Sequence, residues 1–406
     1  MRGLSHDETG AVARIDAAAM LQQVERWAAV NSGTRNLEGL ATMAGLLADA
    51  FSCLPGDITL VEPKPADSVA IDGTVNPLDH GRHLHLRVRP DAAMRMLFTG
   101  HMDTVYPRDH MFQTLRNLPD GTINGPGVAD MKGGLAVMLA ALKTIEASPL
   151  GRRIGYDVVI NSDEETGSFS SAALLARAAQ GKIAALTYEP ALADGTLAGA
   201  RGGTGNFSIT VRGRSAHAGR NPEEGRNALV AAADIAVRLS KVRRPGLSVN
   251  PARIDGGGPN NVVPDVAVLR INFRPATRED ITQARAHIDA VVATVAAEHD
   301  VQIAVHGGFN RPPKPIDTGA ADLFALVKAS GADLGLDIAW KATGGVCDGN
   351  NIAAAGVPVV DTMGVRGGAI HSPDEFMIPE SLAERAALSA VTILQNLRER
   401  LMRTHL

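Results

Sequence analysis

Aromatic side chains make up only 3% of the 406 residues, too few for the stacking platforms that single-stranded nucleic acids use. Net positive charge is also missing. The formal balance is -4, so neither nucleic acid nor an anionic membrane finds an electrostatic footprint. Cysteine is nearly absent: Cys53 and Cys347 stand far apart, which excludes a disulfide framework and points to a reducing compartment. No apolar run is long enough to span a bilayer. The opening MRGLSHDETGAVARIDAAAM has no apolar core of signal-peptide length. Cytoplasm is therefore the expected compartment. Long repeats and low-complexity tracts are lacking too.

What remains is a chain with 45% hydrophobic residues and 42 glycines, the composition of a loop-rich α/β protein. Its length predicts two domains. In the first half, strand-like and helix-like segments alternate: MLFTG (96–100), GGLAVMLAALKTIEA (133–147), YDVVINS (156–162), SSAALLARAAQ (170–180) and AALTYE (184–189). This rhythm predicts a doubly wound, mostly parallel sheet with helices on both faces. It resumes near the end with GNNIAAAG (helix), VPVVDTM (strand) and a long terminal helix. The middle reads β-α-β-β-α-β, a ferredoxin-like α+β unit. Within it, Ala267, Leu269, Ile271 and Phe273 share one strand face, and Arg270, Asn272 and Arg274 the other. Glycine- and proline-rich segments flank the unit. The expected division is 1–200 and 313–406 for one discontinuous domain, with 201–312 inserted.

The polar residues at strand ends carry the chemistry. FTGHMDTVYP (98–107) ends an apolar run with His101 and Asp103. GPGVADMKGG places Asp130 in a glycine-rich loop before a helix, and NSDEETG supplies Glu164 and Glu165. TYEP supplies Glu189 and GGAIHSPDEF supplies His371. Carboxyl ends of strands are where open α/β sheets place their sites. Imidazoles mixed with carboxylates, and no thiolate series, suit zinc or a similar divalent ion in a water-accessible site. Five such ligands exceed the need of one tetrahedral ion, and suit two ions about 3.5–4 Å apart sharing a carboxylate. A water between two such ions has its pKa lowered to about 7 or below, and a neighbouring carboxylate must take its proton. Glu164 and Glu165, adjacent in sequence, can divide ligation from proton transfer.

HMDTVYP, GPGVADMKGG, DEETGSFSS, YEP, RSAHAG, PNNVVPD and GGAIHS, in this order and spacing, resemble the di-zinc exopeptidase and deacylase family. That family contains glutamate carboxypeptidase, acetylornithine deacetylase and succinyl-diaminopimelate desuccinylase. The resemblance runs from about residue 20 onward, and HMDTVYP is most similar to the glutamate carboxypeptidase branch. It implies a zinc hydrolase domain carrying an inserted dimerisation domain. By it, His101 and Glu189 hold one zinc, Glu165 and His371 the other, with Asp130 bridging; cobalt or manganese can substitute. Asp103 orients His101, Glu164 is general base and then acid, and the Asp130–Met131 peptide is cis. His217 reaches the active site of the second subunit of a homodimer, while Asn261 and Arg274 hold substrate, Arg274 by a free carboxylate.

The implied reaction is hydrolysis of the amide bond of an N-acyl amino acid or short peptide with a free carboxylate. An N-acetyl or N-succinyl deacylase of biosynthesis is the alternative within the family. A catalytically dead binding protein would require a lost ligand or a lost Glu164, and the motifs keep them all. Arg311, at the junction FNRPPKP, is either a site residue or a charge on the hinge surface. Cys347 stands where the family motif has serine, and reads as a small packing residue. His83, His85 and His110 read as surface or loop groups. GARGGTG (199–205) lacks the G-K-[ST] ending of a phosphate loop and opens a strand.

Overall fold

The computed structural model describes residues 3–404. Its central sheet has six strands in the order Asp57–Val61, His83–Val88, Gly155–Asn161, Arg95–His101, Ala184–Thr187 and Val359–Val360. The last four run parallel, and the first two are added antiparallel at one edge. Apolar residues alternate between two cores, as the two-residue strand period requires. Met96 and Phe98 face one core with Leu135 and Leu394, whereas Leu97 faces the other with Val159, Leu175 and Ile352. Burial on both faces is why Arg95–His101 reads as a continuous apolar run. The helices Gly134–Glu146 and Ser381–Thr404 pack together on the first face. Gly134 must be glycine, because a Cβ there would lie 1.9 Å from the main-chain oxygen of Tyr188. Among the described residues no helix is long and apolar enough to cross a membrane.

A second, fully antiparallel sheet has the order Leu247–Gly256, Val266–Pro275, Thr204–Arg212, Gln302–Arg311. Helices Ala228–Ser240 and Arg278–His299 complete the ferredoxin-like order β-α-β-β-α-β. Ala267, Leu269, Ile271 and Phe273 point into a separate core with Phe207, Ile209, Ile235 and Ile288. The strand VPVVDTM is shorter than the apolar run suggests, its parallel ladder covering Val359 and Val360 with a lone bridge from Thr362 to Tyr188 beyond. After Thr187 the chain likewise leaves the ladder, which frees Glu189 to turn toward the carboxyl end of the sheet.

The two chain crossings between these sheets are paired. Arg201 N–H donates to the Lys314 carbonyl and Lys314 N–H to the Arg201 carbonyl, both at 2.9 Å. Beneath them Asp361, fully buried, takes Arg201 Nε at 2.8 Å and Lys314 Nζ at 3.2 Å. Burial works against the Asp361 carboxylate, but the two cations outweigh it and hold its pKa below the usual range. Its stabilisation is thus complete above the unfolded carboxyl pKa of about 3.9, and is lost as pH falls through the lower folded value. Asp361→Ala strands two buried cations and is expected to cost about 3–5 kcal/mol, read by urea denaturation at neutral pH.

Candidate metal centre

His101 ends its strand, and its ring is 1% exposed. Its Nδ1 lies 2.9 Å from the main-chain oxygen of Asp103 and 3.4 Å from the carboxylate Oδ1. Donation from Nδ1 to that carbonyl fixes the tautomer and leaves the Nε2 lone pair facing the cluster. The Asp103 carboxylate itself is spent elsewhere. It accepts from Thr34 Oγ1 at 2.8 Å, Glu164 N at 3.1 Å and Glu165 N at 3.2 Å. Asp103 therefore orients His101 mainly through its carbonyl, and its side chain fixes the turn that presents Glu164 and Glu165.

Asp130 lies between two imidazoles. Its Oδ1 is 3.1 Å from His101 Nε2 and its Oδ2 is 3.2 Å from His371 Nε2. Glu189 Oε2 is 3.7 Å from His101 Nε2, and Glu165 Oε2 is 3.2 Å from His371 Nε2. The Asp130–Met131 peptide is cis, and His371 sits at a positive φ of 64°. Four of the five side chains are buried, while His371 is 53% exposed and marks the open side.

The electrostatics are those of a cluster short of positive charge. Hydrogen bonds donated by its ring to the Asp130 and Glu165 carboxylates raise the His371 pKa to about 11. Burial opposes protonation of His101, but Glu189, Asp103 and Asp130 outweigh it and raise its pKa well above the ordinary value. Burial, reinforced by the Asp130 charge, lifts Glu165 to about 7. Burial also raises Glu189, partly offset by His101. Glu189 Oε1 is buried without a hydrogen-bond partner. A divalent cation meets each of these demands: it satisfies the orphaned oxygen, and it lets carboxylates ionise and imidazoles stay neutral. Tetrahedral ligands about 2.0–2.2 Å from an ion lie roughly 3.3–3.6 Å apart, close to the spacings just given. The donor set fits a metal, by chemistry and by distance.

Glu164 is buried beside the cluster, its Oε1 2.8 Å from Arg311 Nη2. Burial raises its pKa well above the usual range, with Arg311 opposing. Arg311 is buried as well, and also donates to the Glu164 carbonyl at 2.7 Å and to Ser168 Oγ at 2.9 Å. It is not a surface charge at a hinge. A cavity of about 510 Å³ opens over Asp130, Glu164, Glu165, Glu189 and His371, and Arg274 reaches its wall.

Residues 97–395 match the model of Peptidase family M20/M25/M40. The chain belongs to that family. Carboxypeptidase G2 of Pseudomonas sp. (strain RS-16) is 28% identical over 387 residues, covering 93% of this chain and 89% of that enzyme. Succinyl-diaminopimelate desuccinylase of Pseudoalteromonas translucida (strain TAC 125) is 28% identical over 306 residues, 70% of this chain and 79% of the relative. The fold matches aminopeptidase PepT from Bacillus cereus, with a TM-score of 0.70, 24% identity, and coverage of 94% and 98% of the two chains. The M20 family metallo-carboxypeptidase Sso-CP2 from Sulfolobus solfataricus matches at a TM-score of 0.68 and 15% identity, covering 92% and 98%. As an M20 protein the chain is a metal-dependent hydrolase of the metallopeptidase and amidohydrolase class.

Two of the site residues read from the M20 motifs lie apart from the cluster. His217 is exposed, and its Nδ1 accepts from Gly219 N at 3.1 Å. Asn261 is exposed beside it, its carbonyl accepting from Ala218 N at 2.9 Å. Neither lines the cavity of its own chain.

Other placements differ from the sequence reading. His83 is buried, 3.3 Å from Ser162 and Ser170 hydroxyls, because both faces of its strand are covered. His85 is half-buried and pairs with Asp157 at 2.7 Å. Cys347, by contrast, is buried as a small packing residue should be, and it also caps the helix Asp348–Ala354, its Sγ accepting from Gly349 N at 3.3 Å. The reading passed over Asp348, which accepts from Asn161 Nδ2 at 2.6 Å and Ser168 Oγ at 2.5 Å, close to Arg311. It also passed over Glu375, five residues into GGAIHSPDEF from His371 if both ends are counted.

Proposed function

We propose that the chain is a di-zinc exopeptidase of the glutamate-carboxypeptidase type, releasing an amino acid with a free carboxylate from an N-acyl amino acid or short peptide. The observation that carries this is Asp130, whose two oxygens face different imidazoles at 3.1 and 3.2 Å, the posture of a carboxylate shared by two ions. In this reading His101 and Glu189 hold one zinc, and Glu165 and His371 the other. Bound there, the ions would lower the pKa of water and polarise the scissile carbonyl. Glu164 takes the proton of the attacking water and passes it to the leaving amine. Arg311 fixes the Glu164 carboxylate and its main-chain carbonyl, so the base keeps one position through both transfers.

Arg274 supplies the carboxylate grip. Its Nε donates to Asn272 Oδ1 at 2.9 Å, which steadies the guanidinium at the cavity wall and leaves further N–H groups for a bidentate contact. Since His217 and Asn261 lie outside their own cavity, we assign them to a homodimer. There His217 of the partner subunit supports the developing oxyanion and Asn261 contacts substrate. Residues 201–312 then serve as the dimerising unit, closing over substrate about the paired crossings at Arg201 and Lys314. The free state of Cys53 and Cys347 fits a reducing, cytoplasmic setting.

Similarity to desuccinylases favours a second reading, removal of an N-acetyl or N-succinyl group. A panel of acyl glutamates, dipeptides, N-acetylornithine and N-succinyl-diaminopimelate separates the two by preferred kcat/KM. Arg274→Ala is expected to lower kcat/KM by about 10–100-fold for a substrate with a free carboxylate, mostly through KM. The matching carboxamide substrate is affected little. Equal losses on acid and amide would remove Arg274 from the carboxylate contact.

A further inference from the structure

Glu375 lies at the far end of the turn that begins with His371, and it is 1% exposed. A buried carboxylate so near Asp130 adds negative charge where there is already an excess. It is nevertheless well satisfied. Its Oε1 accepts from Ala129 N and Asp130 N, both at 3.0 Å. Its Oε2 accepts from Gly127 N at 3.2 Å and from the Tyr106 hydroxyl at 2.8 Å. Three main-chain N–H groups of the loop that carries Asp130 thus converge on one side chain. The same hydroxyl lies 2.8 Å from the Ser372 carbonyl, and Tyr106 belongs to the segment that follows His101 and Asp103. The main chain of Glu375 is fixed in turn. Its carbonyl accepts from Asn124 Nδ2 at 2.8 Å and Gly125 N at 3.2 Å, and its N–H donates to the Ser372 carbonyl at 3.1 Å.

We infer that Glu375, steadied by Tyr106, is a positioning residue for the metal pair: it locks the Asp130 loop, the His371 turn and the His101 segment into one register. This rests on the metal-centre reading above. Ligands that come from a strand end and two separate loops have no common secondary structure to fix their spacing, and a shift of a few tenths of an ångström in Asp130 changes its distance to both imidazoles at once. A carboxylate is needed because both of its oxygens must accept. An amide in its place turns one oxygen into a donor, which then faces either the Ala129 and Asp130 N–H groups or the Gly127 N–H and the tyrosine hydroxyl. Glu375 does not line the cavity over the cluster, so its effect reaches the reaction through the geometry of the ligands.

The test is zinc binding by competition with a chromophoric chelator on wild type, Glu375→Gln and Tyr106→Phe, with melting of the chelated proteins and visible spectra of their cobalt-loaded forms. Glu375→Gln is expected to bind zinc about 10–100-fold more weakly, the usual loss when a partner of a metal ligand is changed. Its cobalt spectrum shifts, and its chelated form melts close to wild type. Zinc affinity within about twofold of wild type, or an unchanged cobalt spectrum with a lowered melting point of the chelated form, overturns the assignment. Should Glu375→Gln not fold, Tyr106→Phe decides. A weakening of zinc binding by about threefold or more supports the role, and unchanged binding refutes it. Failure of wild type to bind zinc would overturn the metal reading itself, whereas normal wild-type binding beside an unaffected Glu375→Gln overturns this inference alone.

Discussion

Replacing Glu164 with glutamine lowers kcat by about 10²–10⁴-fold, the range a general acid–base group contributes. KM and zinc content stay close to wild type. The shape of the side chain is kept, so the cavity and the five clustered residues are undisturbed. What disappears is the capacity to hold a proton between the water and the leaving amine. Arg311 loses its ionised partner at 2.8 Å, although its bonds to the Glu164 carbonyl and Ser168 Oγ remain. The variant therefore loses some stability, since a buried cation left unpaired is costly. Single-turnover kinetics on zinc-loaded protein separate this catalytic loss from partial unfolding. A variant that retains zinc and melts near wild type, yet turns over at more than about a tenth of the wild-type rate, would remove Glu164 from the proton-transfer role.

Chelation of the metal is the second large effect. Without cations the carboxylates face one another and the imidazoles across short distances, with His101 and His371 drawn toward protonation. Turnover falls below detection. At a zinc concentration a thousandfold above Kd, bound metal stabilises the folded state by about 4 kcal/mol. For a protein of this size that corresponds to a melting shift of about 5 °C. The shift should shrink at lower pH as protons compete with metal for the ligands. Calorimetric melts across a zinc series check it, and a melting point indifferent to zinc would count against a metal centre here.

Much of this was legible in the sequence, for a physical reason. His101, Glu165 and Glu189 follow apolar runs, and an open parallel sheet brings the ends of its strands to one edge. Strand order thus gathered the candidates, the motif resemblance picked His101, Asp130, Glu165, Glu189 and His371 from them, and the structure brings these five side chains together. The alternation in Val266–Pro275 likewise announced a half-covered strand, and its four apolar residues fill the second core.

What stayed hidden depends on how loops fold back. Nothing local marks Glu375 as the acceptor for a loop some 245 residues earlier in the chain. Arg311 and Asp348 are distant in sequence from Glu164, so Arg311 stayed open between a site residue and a hinge-surface charge, and Asp348 was passed over. Asp103 was expected to support His101, and which of its atoms lies nearest the ring, the carbonyl at 2.9 Å, is a matter of a turn's geometry. His83 was misread as a surface or loop group because no motif surrounds it, and its short strand His83–Val88 is buried only by elements distant in sequence. The strand VPVVDTM came out short because an apolar run reports burial rather than ladder pairing.

The most direct measurement is release of free glutamate from an acyl glutamate by the chelated protein, before and after zinc is returned, with Glu164→Gln alongside. The account predicts no release from the chelated protein, recovery on adding zinc to the wild type, and no recovery in the variant despite normal zinc uptake. Release that persists without metal, or that returns equally in Glu164→Gln, would contradict it.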